Sequence, residues 1–211
     1  FVEALPALFM PVLILGGIYG GIFTPTEASA VAIVYVLVIS YLFNRSEFTW
    51  ENIRKSLVGA MATTAIIYII LGGAQLFSAA LTFAKVPQIV TEFVAALPVD
   101  KWIMMLAILF LYFILGTILD PVPILYITLP ILYPVVLNLG FDPIHFAVLT
   151  VAMMMIAQVT PPVGVSLFAL SGLFKVPQAV VVRGAIPYLF AMSAATILLL
   201  LVPGLSTFLI K

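Results

Sequence analysis

The sequence predicts an all-α integral membrane protein, on three grounds: a composition too apolar for a water-soluble surface, charge gathered into short stretches, and apolar runs of bilayer length. Of 211 residues, 65% are hydrophobic and 8% charged, with a mean hydropathy of +1.34; soluble domains are about half apolar and a quarter charged. Eight basic and eight acidic residues are too few to clothe a water-soluble particle of this size. Arg45, Glu47, Glu51, Arg54 and Lys55 share one stretch while 64–84 carries no charge, as when charge is confined to connections outside the bilayer. The balanced net charge argues against nucleic acid as a partner. Cysteine is absent, which removes disulfide scaffolds, thiolate metal sites and cysteine nucleophiles together. No nucleophile-base-acid arrangement, phosphate loop or metal-ligand spacing points to an enzyme.

A bilayer core of about 30 Å needs roughly 20 apolar residues per crossing helix. Measured so, residues 4–22 form a first segment interrupted by Pro6, Pro11 and four glycines, and 25–43 an uninterrupted helix ending at Asn44. From Thr49 a short amphipathic helix is expected in the interface, with Trp50, Ile53 and Leu57 on one side, before a span from about Leu57 to Phe83. Residues 87–97 are too short to cross and read as a surface helix between Pro87 and Pro98. Residues 102–119 span from an interfacial Trp102. Pro121, Pro123, Pro130 and Pro134 break the next apolar stretch; because proline donates no backbone hydrogen bond, 120–138 suits a re-entrant hairpin buried in protein. Residues 144–173 read as a discontinuous helix, interrupted at Thr160-Pro161-Pro162-Val163-Gly164, and 186–202 as the last span. Arg45, Arg54 and Lys55 make their loop the best cytoplasmic candidate. Phe1 opens in an apolar context with no basic region and cleavage site, so no signal peptide is read there and a longer parent chain is expected.

A capping residue directly before proline recurs at Thr24-Pro25, Asp120-Pro121, Asp142-Pro143 and Thr160-Pro161. Each reads as a helix start, in which the side-chain oxygen accepts an orphan N–H and proline fills the first turn. Glu27, three residues after Thr24, has capping-box spacing and reads as a cap ahead of a transport-site acid. Asp120 is costly in lipid unless it meets water, a cation or the N–H groups of its own helix, so capping and participation in an ion site both stand for it. Around Pro161 and Pro162 the carbonyls of Ala157 to Thr160 lose their helical donors. A sodium ion held by these oxygens and the Thr160 hydroxyl would satisfy them, while a helix restarting at Pro161 would offer positive charge to an anion. The alternative is a kinked helix satisfied by neighbours or water. His145 reads as a solvated histidine near an interface ahead of a proton carrier, Gln75 and Ser78 as helix-packing contacts ahead of the lining of a polar pathway, and Met153 to Met155 as adaptable packing.

The run Gly16-Gly17-Ile18-Tyr19-Gly20-Gly21-Ile22-Phe23-Thr24-Pro25-Thr26-Glu27-Ala28 resembles the central signature of the large membrane subunit of tripartite ATP-independent periplasmic (TRAP) transporters. Leu115-Gly116 and Leu119-Asp120 with Pro123, Pro130 and Pro134, then Thr160 to Gly164 with Leu167-Phe168, resemble that family's second re-entrant hairpin and second broken helix. The resemblance implies an ion-transporter-superfamily elevator fold, of which this chain carries the second inverted repeat. It also implies a sodium-coupled importer of an organic acid anion (a C4-dicarboxylate, sialic acid or a related carboxylate) in the bacterial inner membrane. Its implied partners are a periplasmic substrate-binding protein, a small membrane subunit and the lipid bilayer.

By the same resemblance, sodium is bound near Gly116, Asp120, Ala157, Thr160 and Pro162, and the substrate is approached by Pro121, Gly164 and Ser166. The sequence departs from the family pattern at Ala157, where glycine is usual, and at Met154 and Ser166, where asparagine is frequent. The implied organisation is scaffold and connecting helices over 1–101, transport-domain elements over 102–174 and a C-terminal span over 175–211. A binding-protein-independent anion carrier of the same superfamily is the main alternative, with a passive channel or an assembly subunit behind it.

Overall fold

The structure, a computed structural model, describes residues 5–46, 48–161 and 164–208. Those residues form ten helices and no strand: α1 (Leu5–Tyr19), α2 (Pro25–Phe43), α3 (Trp50–Phe83), α4 (Val86–Ala96), α5 (Lys101–Ile118), α6 (Pro121–Asn138), α7 (Pro143–Gln158), α8 (Val165–Phe174), α9 (Gln178–Leu201) and α10 (Pro203–Thr207). Five of them, α2, α3, α5, α6 and α9, are long and apolar enough to cross a membrane. Over their most apolar stretch α2, α3 and α9 are only 6% buried, against 33% for α5. Leu, Ile, Val and Phe side chains therefore face outward in a way water does not tolerate and lipid does.

The chain divides into two compact units, Phe1–Ile66 and Ile67–Lys211. In the first, α1 and α2 pack together, tied by a 2.8 Å hydrogen bond from the Tyr35 hydroxyl to the Pro6 carbonyl. The capping box at the start of α2 is formed: the Thr24 N–H donates to Glu27 Oε2 (2.8 Å) and the Glu27 N–H to Thr24 Oγ1 (3.3 Å). Glu27 is held as a cap, as its spacing predicts. The expected break between an interfacial helix and a span near Leu57 does not occur. One helix of 34 residues runs through, about 51 Å long at 1.5 Å per residue, its polar first turns carrying the Glu51–Lys55 ion pair (2.8 Å).

The second unit is built around α5 and α7, which lie against each other with Met105, Leu109, Tyr112, Phe146, Leu149 and Met154 fully buried. Helix α4 packs on α6, sending Val90 and Val94 to the same core. Asp100 and Asp142 start α5 and α7 as N-caps: Asp100 Oδ1 accepts from the Trp102 N–H, and Asp142 Oδ1 from those of Ile144 and His145.

The prolines of 120–138 do not break the chain there. Residues Pro121–Asn138 form a single helix, and the turn between helices falls before it, at Leu119 and Asp120. Pro121 stands in the first turn, where no N–H is needed, and Pro130 and Pro134 are absorbed inside α6. The Tyr112 and Thr128 hydroxyls, hydrogen-bonded at 2.8 Å, join α5 to α6 about equally far on either side of that turn, so the two helices form the arms of a hairpin.

Two readings near the C-terminal end are corrected. His145 is not solvated: it is 1% exposed, and its Nδ1 lies 3.0 Å from the Ser206 hydroxyl of α10, a short helix the sequence pattern does not signal. The last helix begins at Gln178 rather than near 186, taking Arg183 and Pro187 into its body.

Candidate ion and anion site

Helix α7 ends at Gln158 and α8 begins at Val165, so the predicted interruption is present within an otherwise apolar stretch. Proline dictates its geometry. Residues 161 and 162 have no N–H to return to the carbonyls of Ala157 and Gln158, so the last turn of α7 tightens. The Val159 N–H reaches the Ile156 carbonyl (3.2 Å) and the Thr160 N–H the Ala157 carbonyl (3.1 Å). The Ala157 oxygen thus has a local donor, contrary to the expectation that it is left without one; such shortened bonds are a common remedy at helix ends.

Thr160 also differs from its expected role. Its hydroxyl donates backward to the Ile156 carbonyl at 2.7 Å, closing α7 instead of opening the next helix. With its hydrogen committed there, the oxygen keeps its lone pairs for a cation. The helix that follows starts at Gly164, a buried residue with φ +57. A Cβ at Gly164 would lie 3.2 Å from the Gln158 carbonyl oxygen and 2.8 Å from Leu167 Cδ1, so both conformation and space demand glycine. Gly164 thereby lies against the end of α7. Ser166, in the first turn of α8, donates its hydroxyl to Gln158 Oε1 at 3.2 Å.

On the facing helix, Gly116 is buried, and a Cβ placed on it would stand 2.9 Å from Ala157 Cβ and 3.5 Å from Met154 Cα. Small residues on both sides let the α5 and α7 backbones approach closely. Ala157 is fully buried.

Of the residues singled out from the sequence, the structure brings Gly116 and Ala157 into contact, places Thr160 one turn along, and folds Gly164 and Ser166 back onto Gln158. Asp120 and Pro121 form the start of α6. Asp120 is exposed and its Oδ1 accepts from the Val122 N–H at 3.1 Å, a capping bond. Pro162 lies outside the described residues. Among the described residues no three of His, Cys, Asp and Glu converge on a metal position, and the oxygens at the interruption are neutral carbonyls, hydroxyls and an amide. Gln158 is the participant that sequence reasoning missed. Its partner stands eight residues on, a separation no helical period brings together, and only the proline pair hinted at the fold-back.

Fold and interruption together define a multi-pass helical membrane protein with one helix parted along its length. The family description "Tripartite ATP-independent periplasmic transporter, DctM component" matches residues 1–205, and the chain belongs to that family. It is 35% identical over 204 residues to the C4-dicarboxylate TRAP transporter large permease protein DctM of Pseudomonas aeruginosa, covering 97% of this chain and 48% of that protein. It is 34% identical over 205 residues to the 2,3-diketo-L-gulonate TRAP transporter large permease protein of Escherichia coli, covering 97% and 48%. To the isethionate TRAP transporter permease protein DctMQ of Oleidesulfovibrio alaskensis it is 36% identical over 206 residues, covering 98% and 32%. The chain spans about half the length of most of the curated relatives it matches. As a TRAP large-permease chain with five such helices it is a multi-pass inner-membrane protein.

Proposed function

We propose that this chain is part of a secondary transporter that imports an organic acid anion by sodium symport, with an elevator mechanism. The observation that carries the proposal is the parted helix α7–α8, in which Thr160, its hydroxyl bonded to the Ile156 carbonyl, follows one turn after the Ala157 that meets Gly116. Backbone interrupted at membrane depth is tolerated where it lines a site, and paired half-helix ends suit a cation at one and an anion at the other. Sodium, as co-transported ion, is assigned to the main-chain oxygens near Gly116, Ala157 and Pro162 with the Thr160 hydroxyl. The substrate carboxylate is assigned to the start of α8, where Gly164 and Ser166 lie. Pro121, half-buried at the head of α6, is assigned to the substrate as well, and Asp120 to the ion site through its hold on the α5–α6 turn.

In this reading α5–α8, over 102–174, form the moving body, residues 1–101 belong mainly to the scaffold, and 175–211 form the C-terminal span. A small membrane subunit and a periplasmic binding protein complete the transporter. Family membership supports this over a binding-protein-independent carrier or a passive channel. Relatives named for C4-dicarboxylate, 2,3-diketo-L-gulonate and isethionate transport support an organic anion as cargo.

The test is uptake of labelled succinate, sialic acid and isethionate by the full-length transporter in proteoliposomes with its binding protein. Accumulation of one of them under an inward sodium gradient, abolished when choline replaces sodium, is expected. Uptake indifferent to sodium would overturn the symport reading, and uptake without the binding protein would favour the alternative carrier.

A further inference from the structure

We propose that Gln158 is a positioning residue of the sodium site: its side-chain amide clasps Ser166 and thereby fixes the start of α8 against the end of α7. The inference rests on the sodium reading above, and it deepens that reading by naming a residue which the family resemblance did not.

Three observations meet at Gln158. Its Oε1 accepts the Ser166 hydroxyl at 3.2 Å, its carbonyl oxygen lies 3.2 Å from where a Gly164 Cβ would stand, and its side chain is half-buried. Residue 158 is therefore touched from both the cap and the first turn of the second half-helix. The link matters because the interruption removes the backbone bonds that would make α7 and α8 one rod. Pro161 and Pro162 return no N–H to the Ala157 and Gln158 carbonyls, so the Gln158–Ser166 bond is a link the helical backbone ladder does not supply here. Thr160, the proposed sodium ligand, lies inside the segment so tethered. Holding Ser166 to Gln158 fixes both ends of the loop that presents the Thr160 oxygen, and a ligand set for a small cation loses affinity when its oxygens drift by a few tenths of an ångström. Ser166 uses its hydrogen on Gln158, which orients the hydroxyl.

The experiment uses the purified full-length transporter and measures thermal stabilisation by sodium chloride against choline chloride. The variants are Gln158→Met, which keeps length and removes the amide, Ser166→Ala, and the double variant. Each of the first two is expected to raise the sodium concentration for half-maximal stabilisation roughly two- to tenfold, the range for one modest hydrogen bond. The double variant should be no worse than either single. Melting in choline should change little, since a purely structural contact would lower it and leave the sodium response alone. A sodium response unchanged in Gln158→Met, or additive losses in the double variant, overturns the clasp while leaving the sodium site standing. A wild-type protein that sodium does not stabilise overturns both.

Discussion

The Cβ of Ala157 occupies the space into which any side chain at Gly116 would have to grow: a Cβ built there would be 2.9 Å away. Helices α5 and α7 are therefore in register at this level, with Ala157 directly facing Gly116. Gly116→Ala is expected to destabilise the protein by about 1–3 kcal/mol, the range for overpacking a close-packed contact. Adding Ala157→Gly should recover most of the loss, because it removes the atom in the way. Thermal unfolding in detergent checks this, and equal melting of Gly116→Ala with and without the second change would refute the facing relationship.

Asp120 is exposed and bonded to the Val122 N–H, which predicts a separation of its charge from its capping role. Asparagine caps about as well as aspartate, whereas alanine loses about 0.5–2 kcal/mol. Asp120→Asn is expected to keep melting temperature and uptake near wild type, and Asp120→Ala to melt lower. Uptake lost in a stable Asp120→Asn protein would show that the charge itself serves the ion.

The 2.8 Å bond between the Tyr112 and Thr128 hydroxyls is the polar tie between the arms on either side of the Leu119–Asp120 turn. Tyr112 is fully buried, so Thr128→Val leaves a phenol without its partner and is expected to cost about 1–3 kcal/mol. Tyr112→Phe with Thr128→Val should cost less than Thr128→Val alone, since both polar groups are then gone. The opposite order of melting temperatures would deny the tie.

Much of this arrangement was legible in the chain. The bounds of α2 follow from Thr24, Pro25 and Glu27 at one end and Asn44 at the other, and Asp142-Pro143 marks the start of α7, because caps act on N–H groups two or three residues away and leave a local trace. The interruption after Gln158 was legible for the same reason, as two prolines silence two donors wherever they stand. Thr160 was misread because a threonine hydroxyl serves the helix behind it as readily as the one ahead, and sequence does not say which. The prolines of α6 were over-counted: Pro121 costs nothing in a first turn, and the fold-back lies in the two residues before it. The burial of His145 depends on Ser206, which stands 61 residues away on a five-residue helix too short to show a period. The Gln158–Ser166 clasp was invisible because it exists only once the loop has folded back.

Sodium symport as proposed requires the Thr160 oxygen as an ion ligand at the parted helix, and the sodium dependence of anion uptake by Thr160→Ala beside Thr160→Ser tests it most directly. In proteoliposomes holding the full-length transporter, Thr160→Ser should keep the wild-type sodium requirement, because serine supplies the same oxygen. Thr160→Ala should need roughly three- to tenfold more sodium for half-maximal uptake, in keeping with one lost ligand interaction of about 0.5–1.5 kcal/mol. Identical sodium curves for Thr160→Ala and wild type would contradict the account.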